Sequence, residues 1–328
     1  MSMELDRIHN TDALTLLRAL PDESINCCVT SPPYFGLRDY GTDGQIGLEE
    51  TPQQYVDALV TVFRELRRVL RSDGTFWLNI GDSYAGSGKG GQSSEKRSAN
   101  WQPEYSNHGA RYGFKAKDRM MIPARLAIAL QDDGWWLRDE IVWHKPNPMP
   151  SPVDDRTTTA HEMVYLLTKQ PRYWYDAEAI AEPASNTGGG DFMRALNRVQ
   201  LQHGGESRTG RWARDKRQQQ ATRNRRSVWT ISPEPFPAGH FAVMPPKLVE
   251  LCVLAGCPPD GVVIDPFMGA GTVALVARQL KRRWIGSEIN AEYVRLANMR
   301  LQGRLDEYIA EQRGKPFMPY MFTEGAQP

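Results

Sequence analysis

The residues best suited to chemistry in this 328-residue sequence lie in two short runs near opposite ends of the chain. Thr30-Ser31-Pro32-Pro33-Tyr34 follows the apolar run Ile25-Asn26-Cys27-Cys28-Val29, which reads as a buried strand. It sets a hydroxyl, two ring-locked backbone positions and an aromatic face at the C-terminal edge of a sheet, where open α/β folds bind ligands. Asp265-Pro266-Phe267-Met268-Gly269-Ala270-Gly271-Thr272 joins a second apolar strand to a helix. Its glycines let the backbone turn sharply and approach a ligand without interference from Cβ. Roughly 20 residues further on, Glu288 ends the next strand, where a carboxylate can accept both hydroxyls of a ribose. A nucleotide-like ligand is the occupant this pairing predicts. The 4 cysteines, Cys27, Cys28, Cys252 and Cys257, form no CxxC pair and stand at no zinc-ligand spacing, so their pattern predicts core packing rather than a disulfide framework or a metal site.

The elements that position these runs follow from periodicity. Residues 12–20 suit a short helix, and Thr51-Pro52 opens a longer one with Tyr55, Leu59, Val62, Phe63, Leu66 and Leu70 on its apolar face. Ser72-Asp73-Gly74 reads as its stop, and residues 75–80 as the strand that follows. Helices are expected over 122–130, 245–255, 271–280 and 291–308, and strands over 137–143, 162–168, 228–231, 261–265 and 284–288. This strand–helix–strand rhythm implies α/β architecture around a parallel sheet. Two stretches interrupt it. Residues 83–117 are rich in Gly, Ser, Lys and Asn and read as a long mobile loop that carries function or becomes ordered on binding, and residues 178–226 shift to Gly, Gln and Arg. The proline-rich run Lys145-Pro146-Asn147-Pro148-Met149-Pro150-Ser151-Pro152 reads as a rigid wall beside the site. A net charge of +1 excludes a wholly basic coat, so charge speaks about partners only locally. The N-terminal residues do not read as a signal peptide, and no apolar run approaches the roughly 18 residues that span a bilayer, so the cytoplasm is the expected location.

The two chemical runs together resemble the signatures of amino-directed DNA methyltransferases. Ser31-Pro32-Pro33-Tyr34 is similar to their (Asp/Asn/Ser)-Pro-Pro-(Tyr/Phe/Trp) tetrapeptide, and Asp265-Pro266-Phe267-x-Gly269-x-Gly271-Thr272 to their S-adenosylmethionine loop. Gly239-His240-Phe241-Ala242-Val243-Met244-Pro245-Pro246 resembles the segment that closes over the methionine, and Asn10-Thr11-Asp12-Ala13-Leu14 the element whose Asp contacts the adenine amino group. The resemblance implies S-adenosylmethionine as cofactor. The reaction accounts for the residue types: an exocyclic amino nitrogen is a poor nucleophile because its lone pair is delocalised into the ring. Acceptors placed on its hydrogens favour the rehybridised nitrogen that attacks a sulfonium methyl. Ser31 and the Pro32 carbonyl can be those acceptors, Pro33 helps fix the backbone, and Tyr34 can stack on an extruded base. In related enzymes an acid ending the next strand bonds the serine, which makes Asp82 the candidate to orient Ser31 or take up the proton; capping of a helix or loop is the other role open to it. Ring-carbon methylation needs a cysteine in a Pro-Cys loop, which this sequence lacks after the strand.

The tetrapeptide precedes the cofactor loop, an order that looks like the β group of this family. It implies a circularly permuted class I, Rossmann-like methyltransferase sheet with an inserted target-recognition region. Residues 1–177 would form the catalytic half, 178–227 the recognition region, 228–312 the cofactor half of the same domain and 313–328 a tail. Trp143-His144-Lys145-Pro146-Asn147 and His161-Glu162 match later motifs around the base pocket. Arg208, Arg211, Arg214, Lys216, Arg217, Arg223, Arg225 and Arg226 can neutralise phosphates of double-stranded DNA, and any of them could read guanine. Serine in the first motif position favours cytosine N4 over adenine N6 as the target. Methylation of RNA or protein amines, and DNA binding without turnover, are the readings from other classes. A cognate restriction endonuclease fits the family, and monomer and homodimer both stay open.

Overall fold

The computed structural model describes residues 4–37, 42, 44–85, 114–115, 117–151, 153–184, 222–234, 236 and 243–312. Contacts divide the chain into a larger unit, residues 1–175 with 227–328, and a smaller one, residues 176–226. The larger unit holds an eight-stranded sheet built from β1 (Arg7–His9), β2 (Ile25–Thr30), β3 (Leu70–Ile80), β4 (Trp136–His144), β5 (His161–Thr168), β8 (Val228–Thr230), β9 (Val262–Asp265) and β10 (Arg283–Ser287) in the order β1-β10-β9-β2-β3-β5-β4-β8. The first five in that order are mutually parallel, and β5 runs against both of its neighbours. The N-terminal strand β1 pairs with β10 from the far end of the chain. Segments from the N-terminal and C-terminal parts of the chain are therefore neighbours in one continuous sheet, as the permuted order predicts.

Burial explains why these segments are strands. β2 and β9 sit at the centre with parallel neighbours on both sides and are apolar almost throughout, since both of their faces are covered. Helices α1 (Ala13–Ala19), α2 (Pro52–Val69) and α3 (Ile122–Asp132) supply one apolar layer, with Leu16, Leu17, Leu59, Phe63, Leu66, Leu126 and Leu130 fully enclosed. Helix α2 starts where Thr51 and Gln54 cap each other reciprocally and Pro52 takes a first-turn position. Later in the chain come α4 (Pro246–Gly256), α5 (Thr272–Gln279), α6 (Ala291–Leu301) and α7 (Leu305–Gln312).

Two boundaries differ from expectation. Ser72-Asp73-Gly74 does not separate helix from strand: β3 begins at Leu70, directly after α2, and these residues form its irregular start, with Ser72 and Asp73 exposed and Gly74 buried. The register with β2 jumps there, from Ile25↔Leu70 to Cys27↔Thr75, and Gly74 is packed so tightly that a Cβ would come within 2.6 Å of Leu70 and 3.0 Å of the Asn26 carbonyl. The helix expected over 291–308 is two helices, because Gly303 adopts φ 75° just past the end of α6 and turns the chain.

In the smaller unit, β6 (Glu182–Pro183) pairs antiparallel with β7 (Thr222–Arg223). Glu182 accepts from Arg223 at 2.9 Å and Arg226 at 2.6 Å, and Arg225 donates to the Ile180 carbonyl. Residues 185–221, and most of the 83–117 loop, lie outside the described residues.

Candidate active site

The sheet reverses its winding between β9 and β2. From β9 the order runs outward through β10 to β1, and from β2 it runs the other way through β3. At such a switch the loops leaving the two central strands diverge and leave a crevice at their carboxyl ends. Both chemical runs emerge there, the tetrapeptide after Thr30 and the glycine loop after Asp265. They are tied at the base: Thr30 Oγ1 donates to Asp265 Oδ1 at 2.6 Å, with both residues buried. A cavity of about 1020 Å³ opens above this bond, lined on one side by Ser31, Pro32, Pro33, Tyr34 and Asp82. Its other side carries Asp12, Ala13, Asp265, Pro266, Phe267, Gly269, Thr272 and Glu288.

On the glycine-loop side the backbone needs its glycines. Gly269 and Gly271 have φ 51° and 77°, and a Cβ on Gly271 would meet that of Ala297 at 2.9 Å. Glu288 holds the loop: Oε2 accepts from Gly269 N and Oε1 from Asn290 N, each at 2.9 Å. An ionised carboxylate offers about four acceptor positions, so each oxygen keeps capacity for a ligand hydroxyl. Asp12 caps α1, taking Thr15 N at 2.8 Å and the Thr15 hydroxyl at 2.5 Å, while it lines the cavity.

Asp265 is a strongly perturbed carboxylic acid of the site. Burial pushes it up to about 7, against the hydrogen bonds from Thr30 and Phe267 N that favour its ionised form. Both of those donors use Oδ1. Between pH 4 and pH 7, roughly, the native state therefore keeps a proton that the unfolded chain has released, and stability falls as pH rises through this window. A shift from 3.8 to about 7 sets an upper bound of about 4 kcal/mol on the loss. Asp265→Asn reproduces the protonated shape, with Oδ1 accepting and the amide in place of the hydroxyl. Urea unfolding at pH 5 and pH 8 is expected to show a smaller drop for this variant than for the wild type; an equal drop would remove Asp265 as its source. Glu288, also raised by burial, retains a slope of the same sign.

On the tetrapeptide side, Tyr55 of α2 donates to the Pro33 carbonyl at 2.7 Å and anchors the turn, whereas no described residue donates to the Pro32 carbonyl. Ser31 Oγ lies 3.4 Å from Tyr34 Oη, which donates to Glu162 Oε2 at 2.7 Å. Asn79, buried in β3, donates to the same Glu162 oxygen at 3.1 Å, and Lys145 forms an ion pair with the other. Gly81 leaves room for the Tyr34 ring, since a Cβ there would come within 2.6 Å of it.

The carboxylate that reaches the tetrapeptide is thus Glu162 rather than Asp82. Asp82 takes the other role open to it: it accepts from Ser83 N, from Ile122 N at the start of α3 and from Arg119 at 2.7 Å. No described hydrogen bond joins it to Ser31. Sequence reasoning placed Glu162 and Lys145 near the base pocket without giving them a role, and passed over Asn79, whose signal was a polar residue inside an otherwise apolar strand.

Other expected residues fall elsewhere. Phe241, Ala242, Arg208, Arg211, Arg214, Lys216 and Arg217 lie outside the described residues. Arg223, Arg225 and Arg226 are described and hold their own unit together through Glu182 and Ile180. All four cysteines are buried free thiols. Burial raises each well above its usual range, Cys257 to about 12, so none is poised as a thiolate nucleophile. Among the described residues no group of three or more His, Cys, Asp or Glu is arranged to hold a metal ion, and no helix is long and apolar enough to cross a membrane.

Known proteins resemble this chain in sequence and in fold. The family model for DNA methylases of the N6/N4 type matches residues 25–299. The Type II methyltransferase M.XycI of Xanthomonas campestris pv. cyanopsidis is 45% identical over 297 residues, covering 89% of this chain and 86% of its own. M.SmaI of Serratia marcescens, also a Type II methyltransferase, is 43% identical with 89% of each chain covered. Among solved structures, the PvuII DNA methyltransferase (cytosine-N4-specific) superposes with a TM-score of 0.61 at 20% identity over 94% of both chains. A putative DNA modification methylase from Thermus thermophilus, solved with S-adenosyl-L-methionine, gives 0.54 at 23% identity, covering 91% of this chain and 94% of its own. Both share the fold.

Proposed function

Because this chain belongs to the N6/N4 family of DNA methylases, we propose that it methylates the N4 amino group of cytosine at a specific site in duplex DNA, with S-adenosylmethionine as methyl donor. The observation that carries this reading is the shared cavity: the tetrapeptide and the glycine loop open into one space at the sheet's switch, tied beneath by Thr30 and Asp265. The cofactor supplies an electrophilic methyl group on a sulfonium. Glu288 offers its remaining acceptor positions to the ribose hydroxyls, Asp12 faces the adenine amino group, and Phe267 packs on the cofactor. The amide-rich start of α5 faces the methionine carboxylate, with Phe241 and Ala242 closing over it.

The target base leaves the helix and stacks on Tyr34. Ser31 Oγ and the Pro32 carbonyl accept its amino hydrogens, which concentrates the lone pair on the nitrogen facing the methyl group. Residues 178–227 serve as the target-recognition region, with Arg208, Arg211, Arg214, Lys216, Arg217, Arg223, Arg225 and Arg226 as candidates for phosphate and base contacts. A Type II restriction endonuclease of the same specificity is the natural companion.

The choice of cytosine rests on Ser31, since aspartate predominates at this position in adenine enzymes. DNA methylated by the chain, digested to nucleosides and analysed by mass spectrometry, is expected to contain N4-methyl-2′-deoxycytidine. N6-methyl-2′-deoxyadenosine alone would overturn the choice of base, and absence of any methylated nucleoside would overturn the activity.

A further inference from the structure

The hydrogen bonds of Tyr34 give the site a directionality that the tetrapeptide alone does not. A hydroxyl has one hydrogen, and an ionised carboxylate can only accept. Glu162 meets Lys145 at one oxygen and accepts from Asn79 at the other, and Tyr34 donates to it over 2.7 Å. The competing acceptor, Asn79 Oδ1, is further away at 3.4 Å. With its hydrogen spent, Tyr34 can only accept from Ser31, and the single Ser31 hydrogen is directed to the Tyr34 oxygen, 3.4 Å away. The lone pairs of Ser31 are left facing the space where an amino group must be met by acceptors. Burial and the neighbouring Glu162 charge also hold the Tyr34 phenol well above its usual range, so its hydrogen stays in place.

We propose that Glu162 is a positioning residue, which acts through Tyr34 to fix Ser31 as an acceptor toward the substrate amino group. The proposal rests on the methyltransferase reading above and adds a role for Glu162, for the Tyr34 hydroxyl as distinct from its ring, and for Lys145. Lys145 also lies over the Trp143 ring at 4.3 Å, which fixes its ammonium beside Glu162.

Glu162→Gln makes a specific prediction. Lys145 requires an acceptor, so the new amide turns its oxygen to Lys145 and its NH₂ to Tyr34. Tyr34 then has to accept from residue 162 and donate elsewhere, and Ser31 loses the partner that kept its hydrogen off the substrate. Tyr34→Phe keeps the ring, removes the hydroxyl and leaves Ser31 free to rotate.

The test is single-turnover transfer of labelled methyl from S-adenosylmethionine to unmethylated genomic DNA, with urea midpoints recorded for every variant. Glu162→Gln is expected to slow transfer about 10- to 100-fold and Tyr34→Phe about tenfold, with DNA and cofactor binding changed less than about twofold. The double variant is expected to be no slower than Glu162→Gln alone, because without the hydroxyl the reversed amide has nothing to act through. Losses that multiply in the double variant would overturn the proposal, as would a Tyr34→Phe rate within twofold of wild type, which decides the matter even if Glu162→Gln does not fold. Wild-type transfer in the same assay tests the underlying reading separately: no label on DNA refutes the methyltransferase assignment itself, whereas normal wild-type transfer with unaffected variants refutes only the role of Glu162.

Discussion

Replacing Ser31 by alanine is expected to slow methyl transfer to DNA by a factor on the order of 10²–10³, with S-adenosylmethionine binding within about twofold of wild type. The magnitude is that of losing one preorganised hydrogen-bonding group at a centre whose charge changes in the transition state. An exocyclic amino nitrogen must withdraw its lone pair from the ring to attack, and its hydrogens become more acidic as it does. An acceptor already in place gains strength at that moment without a reorganisation cost. The Pro32 carbonyl remains in the variant, so transfer is reduced rather than abolished. Ser31 makes no described contact with the glycine loop, and Thr30 still bonds Asp265, so the cofactor side keeps its shape. Labelled transfer under single-turnover conditions, beside calorimetric titration with S-adenosylmethionine, separates the two effects. Equal losses in binding and rate would mean that Ser31 supports the fold of the cavity, not the reacting nitrogen.

The parts of this site written locally in the sequence were legible in it. β2, β9 and β10 are short apolar runs because central parallel strands are covered on both faces, and each ends in residues that apolar packing does not explain. The sheet's permuted order was legible too, since it follows from which motif comes first. What local pattern could not supply was decided by distant pairing. Glu162 reaches Tyr34 because β5 runs antiparallel to β3, pairing Ile80 with Met163, across 128 residues of chain between the two side chains. Asp82 is an acid next to the serine's strand in sequence, but α3 has Met121 at its N-cap with φ 55° and no side-chain cap, and the Ile122 amide is satisfied by Asp82 from forty residues away. Ser72-Asp73-Gly74 has the composition of a turn, yet its backbone is an irregular strand end whose exposed side chains impose no alternation.

Glu288→Ala is expected to weaken S-adenosylmethionine binding by roughly 30- to 1000-fold, about 2–4 kcal/mol, with the methyl-transfer rate at saturating cofactor changed far less. The side chain does two jobs with one carboxylate. It holds the amides of Gly269 and Asn290, and so fixes the loop whose φ values of 51° and 77° at Gly269 and Gly271 shape the cavity wall. With its remaining lone pairs it faces the ribose hydroxyls. Alanine removes both, leaving two enclosed N–H groups without their acceptor and a loop that must be ordered anew by the ligand. Glu288→Gln separates the jobs, because an amide can serve one of the two N–H donors while its NH₂ opposes the other; it is expected to lose about tenfold in affinity. Burial raises the Glu288 carboxyl in spite of the two amides, so bound hydroxyls favour the ionised form that the ligand-free site disfavours, and cofactor binding should release protons at mildly acidic pH. Calorimetry of wild type and Glu288→Gln in two buffers of different ionisation enthalpy checks this directly: the wild type is expected to show the larger buffer-dependent heat, and identical heats for both proteins would mean that Glu288 is already ionised before the ligand arrives.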